Sequence, residues 1–160
     1  MIDMSGALFY EQQRFISKKL GLVVFLTALA LLLLSIRNEY ISGADMIGPI
    51  ILVLIAYLFY KLELTVIIRN TELMIYFPPL VKRKLPFSEI NSCEARTYRP
   101  IREYGGWGIR YSWRGKGRAY TVKGNKGVQL SLQNGEFVLI GSQKAELLAE
   151  SIRGQLINRS

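Results

Sequence analysis

The residues best equipped for chemistry in this chain are its arginines and lysines. Lys82, Arg83 and Lys84 stand consecutively, and Arg99, Arg102, Arg110, Arg114, Lys116 and Arg118 follow, with Arg96, Lys123 and Lys126 among them. Fixed positive charge at this density suits an anionic surface or a phosphorylated head group. Each basic group near an anionic leaflet contributes about 1 kcal/mol, and salt weakens it. The same residues would also make an ordinary solvated basic surface. Trp107, Tyr111 and Trp113 are interleaved with them, and Tyr98, Tyr104 and Tyr120 lie nearby. Aromatics at strand spacing are expected as core or cross-strand packing partners.

Catalysis has little to work with. Histidine is absent, so the commonest general base is missing, and the single cysteine, Cys93, has no imidazole to activate it and reads as a small core residue. One cysteine and no histidine also leave no internal disulfide and remove most zinc-ligand patterns. Glu89 and Glu94 stand five positions apart without a paired acid or metal-ligand set around them, which points to solvated carboxylates. Gly105-Gly106-Trp107-Gly108 lacks the Gly-Lys-Ser/Thr ending and following helix of a phosphate loop, and reads as a tight lead into a strand. No catalytic, cofactor or metal residues are therefore assigned.

The elements that position the basic residues divide the chain in two. Leu20 to Ile36 and Met46 to Tyr60 contain no charged residue, whereas everything from Lys61 onward mixes charged and apolar residues. The first run covers about 25 Å as a helix, and snorkelling by Lys18, Lys19 and Arg37 extends it. It is longer than a typical signal-peptide core, and no small-residue cleavage site follows, so it is expected to stay as an anchor. The second run has Pro49 near its start and Tyr57, Tyr60 and Lys61 where an interfacial belt would lie. Together they predict a transmembrane hairpin over 20–60, with helices at about 20–36 and 43–60. Arg14, Lys18 and Lys19 before it and Lys61 after it, against one basic residue in the connection, place both termini in the cytoplasm. The chain is thus expected to be a multi-pass protein of the cell's inner (cytoplasmic) membrane. Residues 1–19 form a cytoplasmic segment whose Leu8, Phe9, Phe15 and Ile16 would suit a short interfacial helix or a frayed terminus.

Residues 61–160 carry 17 Lys and Arg against 8 Asp and Glu, which accounts for the whole net charge of +9. Here the hydrophobic period is two. Leu62, Leu64, Val66 and Ile68 alternate as in a half-buried strand, and Asn70-Thr71 turns the chain into a second strand over 72–77. Further strands are expected at 80–85, 92–98, 107–113, 118–123, 128–132 and 136–140, with a helical turn at 87–90, a loop over 99–106 and a hairpin at Asn134-Gly135. Ser142 is expected to cap a helix over 143–158 that buries Ala145, Leu148, Ala149, Ile152 and Leu156. The fold class is α+β, with seven or eight antiparallel strands in a curved sheet or barrel, closed by a C-terminal amphipathic helix.

This order of elements is similar to the bacterial pleckstrin-homology-like (PH-like) membrane proteins, in which a helical hairpin precedes a PH-fold domain. The resemblance rests on Gly105-Gly106-Trp107-Gly108-Ile109-Arg110, Gly127-Val128-Gln129-Leu130, Asn134-Gly135 and Ile140-Gly141-Ser142-Gln143-Lys144. It departs at Ala145, where many relatives open the helix with proline. It implies a PH fold and a non-catalytic binding or scaffolding role, and supplies no ligand. The expected function is a membrane-anchored module that binds anionic lipid, a protein partner, or both, at the cytoplasmic surface. Two alternatives stay open: a membrane enzyme using carboxylates on a lipidic substrate, and an oligomeric scaffold built through the helices. Cations interleaved with aromatics could also stack on single-stranded nucleic acid, but tethering to a membrane argues against it.

Overall fold

The computed structural model describes residues 6–37 and 46–158, which fall into two compact units: 14–37 with 46–62, and 6–13 with 63–158. The first unit is helical. α1 (Lys18–Ile36) opens where the Ser17 hydroxyl accepts the Leu20 N–H at 3.3 Å, and α2 (Ile47–Lys61) ends with the Leu62 N–H on the Leu58 carbonyl. The start of α1 lies against the end of α2. Phe15 meets Phe59 edge-on with centroids 6.3 Å apart, Phe25 meets Tyr57 at 6.2 Å, and Gly21 lets Tyr60 approach so closely that a Cβ there would sit 3.2 Å from its ring. Most other apolar side chains of both helices are exposed, Leu34, Ile36 and Leu54 among them. Among the described residues only α1 is long and apolar enough to cross a membrane. α2, at 15 residues, is shorter, and the expected connection and start of the second span at 38–45 lie outside the described residues.

The second unit holds nine strands in two sheets, where seven or eight in one curved sheet were expected. The first sheet has the order β1 (Phe9–Arg14), β2 (Glu63–Ile68), β3 (Glu72–Phe77), β4 (Val81–Pro86), with β2–β3 and β3–β4 antiparallel. β1 is the additional strand and corrects the interfacial-helix expectation for the N-terminal segment. The adjacent Leu8 N–H donates to the Ile68 carbonyl at 2.9 Å, so this segment finds its backbone partners in the sheet. β2 is also more enclosed than its alternation implies: Thr65 and Ile67 are as buried as Leu64, Val66 and Ile68, as in a strand covered on both faces.

A 3₁₀ turn at Phe87–Glu89 leads to the second sheet, ordered β5 (Ile90–Thr97), β8 (Lys126–Leu132), β9 (Phe137–Gly141), β7 (Arg118–Thr121), β6 (Gly108–Tyr111). β5–β8, β8–β9 and β6–β7 are antiparallel, but β7 runs parallel to β9, pairing Arg118, Ala119 and Tyr120 with Val138, Leu139 and Ile140. The expected all-antiparallel sheet is therefore mixed. The return from β7 to β8 skips over the place that β9 later fills, which makes β7 and β9 co-directional. Gly117 permits that approach, since its φ is +73° and a Cβ there would lie 1.8 Å from the Phe137 carbonyl oxygen.

The expected loop at 99–106 contains a short helix, α3 (Pro100–Tyr104). It starts with proline in its first turn and ends at Gly105 in the left-handed region. Tyr104 from α3 packs edge-on against Tyr98 at 6.1 Å, in a cluster with Ala119 and Leu139. The chain closes with α4 (Ala145–Ile157), which lies on β5 and β8 and buries Ala145, Leu148, Ala149 and Ile152. The helix cap is Lys144 rather than Ser142. Ser142 still serves the turn, accepting the Lys144 N–H at 2.9 Å.

Candidate functional site

The sequence-predicted basic residues fall in two places. Lys82, Arg83 and Lys84 lie on β4, an edge strand, where successive side chains point to opposite faces. Each has an internal partner: Lys82 sits 5.4 Å from the centre of the Tyr76 ring, Arg83 pairs with Glu136 at 3.1 Å, and Lys84 pairs with Glu72 at 3.1 Å. The triplet is therefore split between faces and partly neutralised.

The other group gathers around α3 and the β6–β7 hairpin. Arg99 precedes α3 and Arg102 lies on it, both exposed. Arg110 is on β6, with its Nε donating to the Trp107 carbonyl at 3.2 Å. Arg118 opens β7, stacked 4.7 Å from the Tyr111 ring centre and donating to the Tyr111 hydroxyl at 2.8 Å. Arg114 and Lys116 occupy the exposed turn between them. From Tyr104 to Gly135 the sequence has no Asp or Glu, while it carries Arg110, Arg114, Lys116, Arg118, Lys123 and Lys126. Carboxylates from outside the stretch pair with two of these, Glu103 with Lys116 at 2.8 Å and Glu146 with Lys126 at 3.4 Å, and Arg110, Arg114 and Lys123 make no ion pair among the described residues.

One carboxylate holds this region in place. Glu103 Oε2 accepts from Arg96 Nη1 and Nη2 at 3.0 Å each and from Lys116 Nζ at 2.8 Å, while Oε1 accepts the Arg99 N–H at 2.8 Å. Desolvation pushes the Glu103 carboxyl up. The bonds from Lys116, the Arg99 backbone and Arg96 outweigh it and hold the group at about 2. Glu103 is thus a locked structural anion. Glu89 and Glu94 are exposed, and none of the three carboxylates lines the groove at 70–71, 87–88, 155 and 158 or the groove at 104–105 and 109–113. Burial raises the Cys93 thiol, whose Sγ donates to the Ala149 carbonyl at 3.6 Å. Among the described residues no three Asp, Glu or Cys converge as metal ligands.

The aromatic residues divide differently from expectation. Tyr98, Tyr104 and Tyr120 are buried as packing partners, but Trp107, Tyr111 and Trp113 are exposed, Trp113 at 94%. β6 spans only Gly108–Tyr111, so Trp107 precedes the strand and Trp113 follows it, and neither is held to the inward face. Trp107 Nε1 donates to the Gly124 carbonyl at 2.8 Å. Tyr104, Ile109, Arg110, Tyr111 and Trp113 line a groove of about 520 Å³. This surface brings cations, indole and phenol faces and a shallow concavity together.

The expected interfacial residues cluster within the helical unit. Lys18 and Lys19 begin α1, while Tyr57, Tyr60 and Lys61 end α2 beside them, and Lys61 Nζ lies 5.8 Å from the Tyr57 ring centre. Arg37 stands at the opposite end, as the C-cap of α1. Sequence inspection missed Glu11. It is buried, accepts the Ser142 hydroxyl and the Gln143 N–H (2.8 Å), and sits beside Gln13, whose Nε2 donates to the Gly141 carbonyl at 2.9 Å. β1 therefore ties the first sheet to the turn before α4. Comparison of the chain with family models, curated proteins and solved structures gives no match.

Proposed function

We propose that this chain is a multi-pass protein of the cytoplasmic membrane. In this reading α1 and α2 cross as a hairpin and hold a basic, PH-like, non-catalytic module at the cytoplasmic surface, where it binds anionic lipid head groups, a protein partner, or both. The observation that carries the proposal is the adjacency of β1 and β2 in one sheet. The chain leaves the strand unit at β1, runs through α1 and α2, and returns at β2. Both ends of the helical segment are therefore fixed to one folded body, and a segment that enters a bilayer must cross it an even number of times. A single crossing by α1 would separate β1 from β2 by the thickness of a membrane.

The same adjacency argues against a removable leader. Cleavage after α1 would also detach β1, with the loss of the Glu11 bonds to Ser142 and Gln143. α2 covers about 22 Å as a helix, short of a full span, and Tyr57, Tyr60 and Lys61 supply the interfacial anchoring that accommodates such a mismatch. With Lys18 and Lys19 at the same end, the positive-inside bias puts that end in the cytoplasm. Alkaline carbonate washing of membranes that contain the full chain tests the anchor. The protein is expected to stay in the pellet, and quantitative release into the supernatant would refute it.

A further inference from the structure

We propose that the tip of the β6–β7 hairpin is a bilayer-contact site. Trp113 and Tyr111 seat in the head-group layer, and Arg110 and Arg114 meet the phosphates of anionic lipid. The inference rests on the membrane reading above and deepens it, because it assigns lipid contact to this tip rather than to Lys82, Arg83 and Lys84. Four observations and one general preference carry it. Trp113 is 94% exposed, in the turn that follows β6. Tryptophan and tyrosine favour the membrane–water interface, where the ring meets the apolar boundary and the polar edge meets head groups. No acidic residue occurs between positions 104 and 135, so the cations around the rings attract an anionic surface without opposition from their own segment. Arg114 makes no ion pair among the described residues, and the groove between Arg110 and Trp113 is open and shallow, a shape suited to a head group.

The chemistry favours a bilayer over a stacked nucleic acid because the chain carries an apolar helix that keeps lipid at hand. Trp107 and Trp113 are the only tryptophans, so tryptophan emission excited beyond the absorption of tyrosine reports on this region alone. The full chain is reconstituted in phosphatidylcholine vesicles with or without phosphatidylglycerol, using lipids with brominated or plain acyl chains. Trp107→Phe isolates Trp113. Because Trp107 has a structural hydrogen bond, the difference between wild type and Trp113→Phe gives the same signal from a protein changed only at an exposed position. Trp113 is expected to shift to shorter wavelength and lose roughly half of its emission to brominated lipid when phosphatidylglycerol is present. Arg114→Glu is expected to remove most of that quenching.

Emission equal in brominated and plain vesicles, from protein that still floats with them, overturns this inference and leaves the anchor intact. Protein that fails to float removes the membrane reading and this site with it. Quenching as strong without phosphatidylglycerol overturns the role of the arginines. Quenching by an added single-stranded oligonucleotide in place of lipid also overturns the proposal.

Discussion

Replacing Glu103 with glutamine keeps the shape of the side chain and removes its charge, which isolates the contribution of the anion at the centre of the Arg96, Arg99 and Lys116 contacts. The carboxylate is 11% exposed and Arg96 20%, so the pair is sheltered enough to exceed the 0–1 kcal/mol of an ordinary surface ion pair; Lys116, at 44%, is largely screened. Lowering the carboxyl from an ordinary value near 4.3 to about 2 corresponds to about 3 kcal/mol as an upper bound, and screening by water at the Lys116 side brings the expectation to about 2 kcal/mol. The pH dependence has a definite direction. Because the folded-state value lies below the unfolded one, the native state is favoured in full above about pH 4.5, and that stabilisation is lost as pH falls toward 2. Glutamine does not titrate. Urea unfolding of the full chain in mild detergent, followed by tryptophan emission, should therefore show Glu103→Gln about 2 kcal/mol less stable than wild type near pH 7. The gap should narrow substantially near pH 2.5. A variant within about 0.5 kcal/mol of wild type at neutral pH, or a gap unchanged in acid, would show that the Glu103 charge does not hold these contacts.

Gly117→Ala forces a Cβ against the Phe137 carbonyl in a backbone conformation that favours glycine, so the parallel β7–β9 pairing should be lost or strained by about 3 kcal/mol or more, read as a drop in the urea midpoint; a neutral result would contradict that pairing. Glu11→Ala leaves the Ser142 hydroxyl and the Gln143 N–H without their carboxylate and should cost about 1–3 kcal/mol, with faster hydrogen exchange at Gln143 and Lys144. Leu148→Ala opens a hole between α4 and the second sheet, and a loss of about 2–5 kcal/mol is expected in the same unfolding assay.

Much of the strand unit could be read from local pattern. Period-two stretches locate β2 to β5 and β7 to β9, Asn134-Gly135 marks the turn that Gly135 takes with φ +81°, and the apolar spacing of α4 survives in its buried face. β1 was illegible for a specific reason. Its buried residues are Glu11 and Gln13 while Tyr10 is exposed, the reverse of the usual inward apolar face, so a hydrophobic period cannot reveal it. α3 escaped because five residues are too few for a helical period, and proline and glycine, which here open and close the helix, also signal loops. The parallel β7–β9 pair is a non-local contact that no local pattern encodes. The alternation of Trp107, Tyr111 and Trp113 suggested an inward face, but a strand of four residues does not extend far enough to fix either tryptophan. Charge was legible by amount and not by arrangement: Lys82, Arg83 and Lys84 are adjacent in sequence yet divided and partnered on β4, whereas Arg110 and Arg114, at and beside the β6–β7 turn, make no ion pair among the described residues.

The proposed hairpin requires the helical segment to enter and leave the bilayer on one side. On a Cys93→Ala background, single cysteines at Arg37 and at Asn134 are exposed to a membrane-impermeant maleimide in intact spheroplasts and again after lysis. The cysteine at position 37, at the far end of α1, should react before lysis, and the one at position 134, in the β8–β9 turn, only after it. Labelling of position 134 from outside, or protection of position 37 until lysis, would contradict the account.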